Sequence, residues 1–377
     1  MGWLRSGVLG ILLAMPVVAQ TPALSLERTW IDAAQQKVQR KQQSLAEVAR
    51  SALPSVVAIT TVPKALQAGG IADDAQHGIG SGFVIHPDGW ILTSAHVVAD
   101  AAEVRVALVD ASGKQQELTA RVAGSDMGTD TALIKVDAGR PLPALPLGTS
   151  EDVQVADWVI VIGNPFGLSQ TVSVGVVSFK GRTDVMPGGQ EIDFDYIQTD
   201  ACINPGSSGG PVLDAMGRVV AVANAVNVSG QGIGFAVPID IPRAIINDLR
   251  EHGKVNRGWM GVTIQDLNEQ LSRSMGLESS RGVVVSQVVE GGPGARAGLK
   301  VGDVITRLGS APVDRAHALR WKITSQGAGA KVPLTAQRDG RRFHVEVELE
   351  PQKPKDTLQS SGVGGAGIDL TVPPNGE

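Results

Sequence analysis

Between residues 55 and about 238 the chain keeps one texture: short runs rich in valine, isoleucine and threonine, separated by glycine-bearing turns. The runs cover 55–61, 81–85, 90–93, 103–109, 132–136, 158–162, 171–178 and 219–225. Segments this brief make poor helices, and β-branched side chains lose rotamer freedom in a helix while fitting a pleated surface. So many short strands would expose unpaired edges unless the sheets close or stack, which predicts a mostly β domain built as a barrel or sandwich. The stretch 239–251 then reads as a helix, and His252-Gly253-Lys254 as its end and the start of a linker.

A second unit of mixed β and α texture occupies 257–351. In Arg296-Ala297-Gly298-Leu299-Lys300-Val301-Gly302-Asp303-Val304-Ile305 a glycine turn leads directly into a strand. A helix is predicted over 315–325 and closing strands over 332–336 and 343–349. Residues 352–377 are rich in glycine, proline and serine, the composition of a disordered tail. At the other end, Arg5, an apolar run over 7–18 broken by Pro16, and small residues at Val17-Val18-Ala19 predict a secretory signal peptide over 1–19. The run is shorter than the roughly 20 apolar residues of a bilayer span, and a short membrane anchor is the alternative. Within 20–54, apolar residues at Leu26, Trp30, Ala33, Val38, Leu45, Val48 and Ala49 follow an imperfect helical period that Pro54 stops. That helix either packs on its own domain or contacts neighbouring subunits.

With 377 residues, 42% hydrophobic and 19% charged, the chain has enough apolar material for two or three cores and is no disordered polymer. Its formal charge of −5 with scattered basic residues excludes an electrostatic footprint for nucleic acid. A single cysteine, Cys202, excludes an internal disulfide. Cysteine and histidine form no cluster at metal-ligand spacing, so no metal or other cofactor is expected.

Within the β unit three segments carry chemistry. In Asn204-Pro205-Gly206-Ser207-Ser208-Gly209-Gly210-Pro211, glycines bracket a serine so closely that main-chain N–H groups can be aimed at whatever the hydroxyl attacks. Leu92-Thr93-Ser94-Ala95-His96-Val97-Val98 offers a histidine, and Ser125-Asp126-Met127-Gly128-Thr129-Asp130-Thr131-Ala132-Leu133 offers two aspartates. A serine hydroxyl needs a base within reach and a group that orients the base. His96, Asp130 and Ser208 fill those roles in the chain order His, Asp, Ser, the order of chymotrypsin-type double barrels. Asp126 is the rival acid and Ser207 the rival nucleophile; Asp130 is favoured because it abuts the apolar strand 132–136. The oxyanion-binding turn is Gly206, Ser207 and Ser208, with the N–H groups of Gly206 and Ser208 facing the carbonyl oxygen. The other histidines, at 77, 86, 252, 317 and 344, lack such a context, and His86 before Pro87-Asp88-Gly89 reads as a surface turn residue.

These segments resemble the HtrA family of serine proteases. The likeness extends over Gly80-Ser81-Gly82-Phe83, Gly163-Asn164-Pro165-Phe166-Gly167, Ile197-Gln198-Thr199-Asp200-Ala201 and Gly232-Ile233-Gly234-Phe235-Ala236. It departs at Ser207, where the family usually has asparagine, and at Cys202, where it usually has alanine. The resemblance implies a chymotrypsin-like double β-barrel over 55–253 followed by one PDZ domain over 257–351, with His96, Asp130 and Ser208 as the triad. It further implies a substrate pocket at Cys202, Gly232, Ile233 and Phe235, and a carboxylate-binding loop at Trp259, Met260, Gly261 and Val262. A small uncharged residue at the pocket base predicts cleavage after small or medium apolar residues. A homotrimer, regulatory loops over 163–182 and 183–195, and a periplasmic role on misfolded or specific envelope proteins are also implied. Competing readings are a chaperone or peptide-sensing adaptor with little turnover, and a membrane-anchored signalling protease.

Overall fold

The computed structural model describes residues 44–64, 78–109, 115–164, 170–182, 195–226, 232–277 and 281–352. The expected signal peptide, most of the helical segment expected within 20–54, the tail beyond Gln352 and parts of both expected regulatory loops lie outside these residues.

The first described element is helix α1 (Leu45–Ala52), opened by a reciprocal cap. The Ser44 hydroxyl accepts from the Glu47 N–H at 3.3 Å, and the Glu47 carboxylate accepts from the Ser44 N–H at 2.9 Å. Pro54 then closes the helix in a 3-10 turn over Leu53–Ser55.

Six strands follow: β1 (Val56–Pro63), β2 (Gly78–His86), β3 (Trp90–Thr93), β4 (Ala101–Val109), β5 (Gln115–Asp126) and β6 (Thr131–Lys135). They close into a barrel in the order β1-β2-β3-β6-β5-β4. A second set comprises β7 (Trp158–Gly163), β8 (Thr171–Arg182), β9 (Tyr196–Thr199), β10 (Pro211–Asp214), β11 (Val219–Val226) and β12 (Gly234–Pro238). Its closed order, β7-β8-β9-β12-β11-β10, repeats that of the first barrel strand for strand.

Continuous apolar runs such as Phe83-Val84-Ile85 arise because the strands are buried on both faces. Val84 points into the first barrel with Val57, Ile91, Val106 and Ile134, whereas Phe83 and Ile85 point into the seam between the barrels. The seam also gathers Leu92 and Leu133 from the first barrel and Ile160, Ile162, Tyr196 and Leu213 from the second. It is covered by α1 and by the helix over Asp240–His252, whose C-cap is Gly253 with φ 72°. Each large apolar side chain buried there contributes roughly 1.5–3 kcal/mol. The two barrels therefore share one core, and the groove where they meet is fixed by packing.

The second unit begins with β13 (Gly258–Trp259), β14 (Val262–Asp266), β15 (Val283–Val288), β16 (Val304–Leu308) and β17 (Ala311–Pro312). It ends with β18 (Lys331–Arg338), β19 (Arg341–Glu348) and β20 (Glu350–Pro351). Its sheet runs β14-β15-β16-β18-β19, so β14 is an edge strand, and β13 pairs with β20. The helix over Ala316–Thr324 packs on this sheet through Leu319 and Ile323.

Candidate active site

β3 delivers the chain into a one-turn helix, Ala95–Val98. Ala95, Val97 and Val98 are buried and anchor the turn, while the His96 side chain keeps 44% of its surface. Asp130 closes the turn between β5 and β6 in the left-handed region, φ 45°, which aspartate tolerates better than most residues. This places its carboxylate, itself nine-tenths buried, under the imidazole. His96 Nδ1 lies 2.7 Å from Asp130 Oδ2, and Oδ1 accepts from the His96 main-chain N–H at 2.9 Å. A carboxylate can only accept, so the proton of the neutral ring sits on Nδ1 and Nε2 is left as an acceptor.

The second barrel contributes two further groups. Asn224 Nδ2 donates to Asp130 Oδ2 at 2.6 Å, and the Asn224 carbonyl accepts from Ser208 Oγ at 2.8 Å. The serine hydroxyl thus rests on a main-chain carbonyl rather than on the imidazole. Gly206 and Gly209 take φ 92° and 85°, turning the loop sharply on either side of Ser208. The N–H groups of Gly206 and Ser208 donate to no acceptor among the described residues. Within the same turn the Ser207 N–H is committed to the Asn204 carbonyl at 2.8 Å, leaving the Gly206 and Ser208 N–H groups as the two without an acceptor among the described residues. The Ser207 hydroxyl accepts from the Asn204 N–H at 3.4 Å.

Asp126 is also buried, for another purpose. It accepts from the Thr129 N–H and hydroxyl and, through both oxygens at 2.7 Å, from the guanidinium of Arg257 where the linker enters the second unit. His86 sits in its surface turn, where Nδ1 accepts from the Asp88 N–H at 3.2 Å. Tyr196 is buried in the seam, and burial first, then the Asp130 charge, raise its phenol above the ordinary range, so it stays neutral.

Cys202 is exposed, and its carbonyl accepts from Ser173 Oγ on β8 at 2.9 Å. Segments 200–203 and 232–235 lie side by side, close enough that a Cβ on Gly234 would meet Ile203 Cδ1 at 3.0 Å. Gly232 (φ 69°) and Cys202 border solvent, and Ile233 is half-buried against the seam. Phe235 is only 5% exposed with its ring 5.9 Å from that of Tyr196, and its strand pairs with β9 on one side and β11 on the other, so it supplies no exposed side-chain wall. In the second unit, the carbonyls of Met260 and Gly261 accept from the N–H groups of Gly294 and Val289 at 2.7 and 2.9 Å. Trp259 is tied into β13, Met260 is buried in the core, and Val262 opens the edge strand.

Asn224 is the residue that sequence reasoning passed over: a polar side chain at the end of the apolar run Val219-Val220-Ala221-Val222-Ala223 was its only signal.

Residues 80–222 match the trypsin-like peptidase domain family and residues 258–349 the PDZ domain family. A "Probable periplasmic serine endoprotease DegP-like" of Pseudomonas putida (strain W619) is 44% identical over 292 residues, which is 77% of this chain and 59% of that protein. A protein of the same description from Rickettsia conorii (strain ATCC VR-613 / Malish 7) is 41% identical over 287 residues, 75% of this chain and 56% of its own length. The chain therefore spans less than two thirds of these curated relatives. A solved structure described as "HtrA-type protease AlgW with tripeptide" superimposes with a TM-score of 0.67 at 34% identity, covering 84% of this chain and 99% of that one.

Proposed function

We propose, from the premise that this chain belongs to the HtrA-type protease family, that it is an ATP-independent serine endopeptidase of the bacterial periplasm. The observation that carries this reading is the 2.7 Å His96–Asp130 pair beside Ser208 and two N–H groups that meet no acceptor among the described residues. In the reaction, rotation about χ1 moves Ser208 Oγ from the Asn224 carbonyl toward His96 Nε2. The hydroxyl oxygen attacks the scissile carbonyl while Nε2 takes its proton, and Asp130 stabilises the resulting imidazolium. The oxyanion is met by the N–H groups of Gly206 and Ser208, each such donor contributing about 3 kcal/mol at the transition state. The imidazolium then protonates the leaving amine, and water repeats the sequence on the acyl-enzyme.

Several features support the finer reading. The uncharged Cys202 in the groove favours cleavage after small or medium apolar residues, which misfolded envelope proteins expose. The open edge of β14 beside the Ala316–Thr324 helix suits a C-terminal peptide added as a strand, with the 259–262 loop receiving its carboxylate. Outward-facing Trp158, Val172 and Val174 on β7 and β8 suit self-association, in keeping with a homotrimer. The domain limits 55–253 and 257–351 belong to the same proposal.

The test is casein cleavage and fluorophosphonate labelling of the full chain. Both are expected to vanish in Ser208→Ala, with the label mapping to Ser208 in the parent. Cleavage that survives the substitution, or a label on another residue, overturns the assignment. A parent that suppresses aggregation without turnover returns the chaperone reading.

A further inference from the structure

The nucleophile loop belongs to the second barrel, yet its main chain is held by a residue of the first. Ser81 lies on β2 and is wholly buried. Its N–H donates to the Ser208 carbonyl at 2.8 Å, and its carbonyl accepts from Thr93 Oγ1 at 2.7 Å. Its hydroxyl accepts from the Asn164 N–H at 2.8 Å and donates to the Gly206 carbonyl at 2.6 Å. Every polar atom of Ser81 is thus engaged, and two of the four bonds end on the residues whose N–H groups face the groove.

The peptide joining Gly206 to Ser207 is consequently pinned at both ends. Its oxygen is held by Ser81, and its N–H by the Asn204 carbonyl at 2.8 Å. Turning that plane over would leave the buried Ser81 hydroxyl without its acceptor and the buried Ser207 N–H without its partner, both unfavourable. Glycine itself opposes such a turn little, because it populates both signs of φ. The Gly206 N–H belongs to the peptide plane before the pinned one and the Ser208 N–H to the plane after it, so holding the plane between them limits how far either N–H can turn. Close packing adds to it: a Cβ on Gly209 would run into the Ser81 carbonyl oxygen.

We infer that Ser81 is a positioning residue for catalysis, its hydroxyl relaying from the Asn164 N–H to the Gly206 carbonyl so that the first barrel sets the oxyanion-binding geometry of the second. The inference rests on the peptidase reading above. Its test compares Ser81→Ala and Ser81→Cys with the parent. Four quantities are measured: kcat and KM on a valine-containing peptide substrate, the rate of fluorophosphonate labelling, and the inhibition constant of a peptidyl boronic acid, whose tetrahedral adduct places an oxygen where the oxyanion forms. Loss of alignment should lower kcat by about 10- to 100-fold, toward the effect of deleting an oxyanion donor. KM should stay within about twofold, and boronate affinity should fall in proportion to kcat. That proportionality is what a merely structural role would not produce.

Variants with parental kcat and boronate affinity overturn the inference while leaving the peptidase reading intact. Loss of folding in both variants overturns it too, by making Ser81 a packing residue. A parent that neither cleaves nor takes the label defeats the peptidase reading and, with it, this one.

Discussion

Replacing Asn224 with alanine isolates one strut of the Asp130 carboxylate, the acid of the proposed triad. Asp130 accepts three hydrogen bonds: from the His96 main chain at 2.9 Å, the imidazole at 2.7 Å and Asn224 Nδ2 at 2.6 Å. The substitution removes the shortest and leaves the Asn224 carbonyl in place. A hydrogen bond to a charged acceptor contributes about 1.5–3 kcal/mol, which corresponds to roughly 10- to 150-fold in rate. Because two donors still hold the carboxylate on the His96 side, we expect the lower part of that range, about 10- to 30-fold in kcat with KM unmoved. Asn224→Asp keeps the volume but sets a second carboxylate against Oδ2, so it should be the slower of the two variants. Steady-state cleavage of a short peptide, with active sites counted by fluorophosphonate labelling, reads both. An alanine variant within threefold of the parent, or an aspartate variant faster than the alanine one, would refute the assignment of Asn224 as a support of the acid.

Two further outcomes follow from the geometry. Gly209→Ala forces an L side chain into φ 85° and drives its Cβ against the Ser81 carbonyl oxygen and Thr93 Oγ1. Labelling of Ser208 should fall by more than tenfold with a lowered thermal midpoint, and a parental labelling rate would contradict the close approach. Arg257→Ala strips a buried carboxylate of its charged partner while Thr129 still donates twice, and should cost about 2–3 kcal/mol in denaturant unfolding. The double variant Asp126→Asn/Arg257→Ala should be no less stable than Arg257→Ala alone, whereas strictly additive losses would show that the two side chains are not coupled.

The fold was largely legible because its signals are local. Strand β3 falls where Trp90-Ile91-Leu92-Thr93 predicts it, and the Asp240–His252 helix ends at the glycine that the linker reading required. Strand β5 went unread, since Gln115-Gln116-Glu117-Leu118-Thr119 lacks a β-branched run. Its pairing with both β4 and β6 imposes the extended state that local preference does not. At the candidate site, His96, Asp130 and Ser208, the proposed triad, were open to nomination from the turns around them. Their supports were not, because Asn224 reaches Asp130 across 94 residues and Ser81 reaches Gly206 across 125. Contacts of that span leave no periodicity in a sequence. Asp126 shows the converse: spacing alone made it a rival acid, and only the position of Arg257 reveals it as a brace for the linker.

Because imidazole and carboxylate ride on one closed cylinder and the hydroxyl on its neighbour, a slippage of about an ångström or two along their common boundary would part the members of the proposed triad with every strand still paired. Heat or mild denaturant should accordingly abolish fluorophosphonate labelling of Ser208 well before the protein melts. Its working range is then set by how firmly two rigid bodies grip each other, not by how well either one holds its own shape.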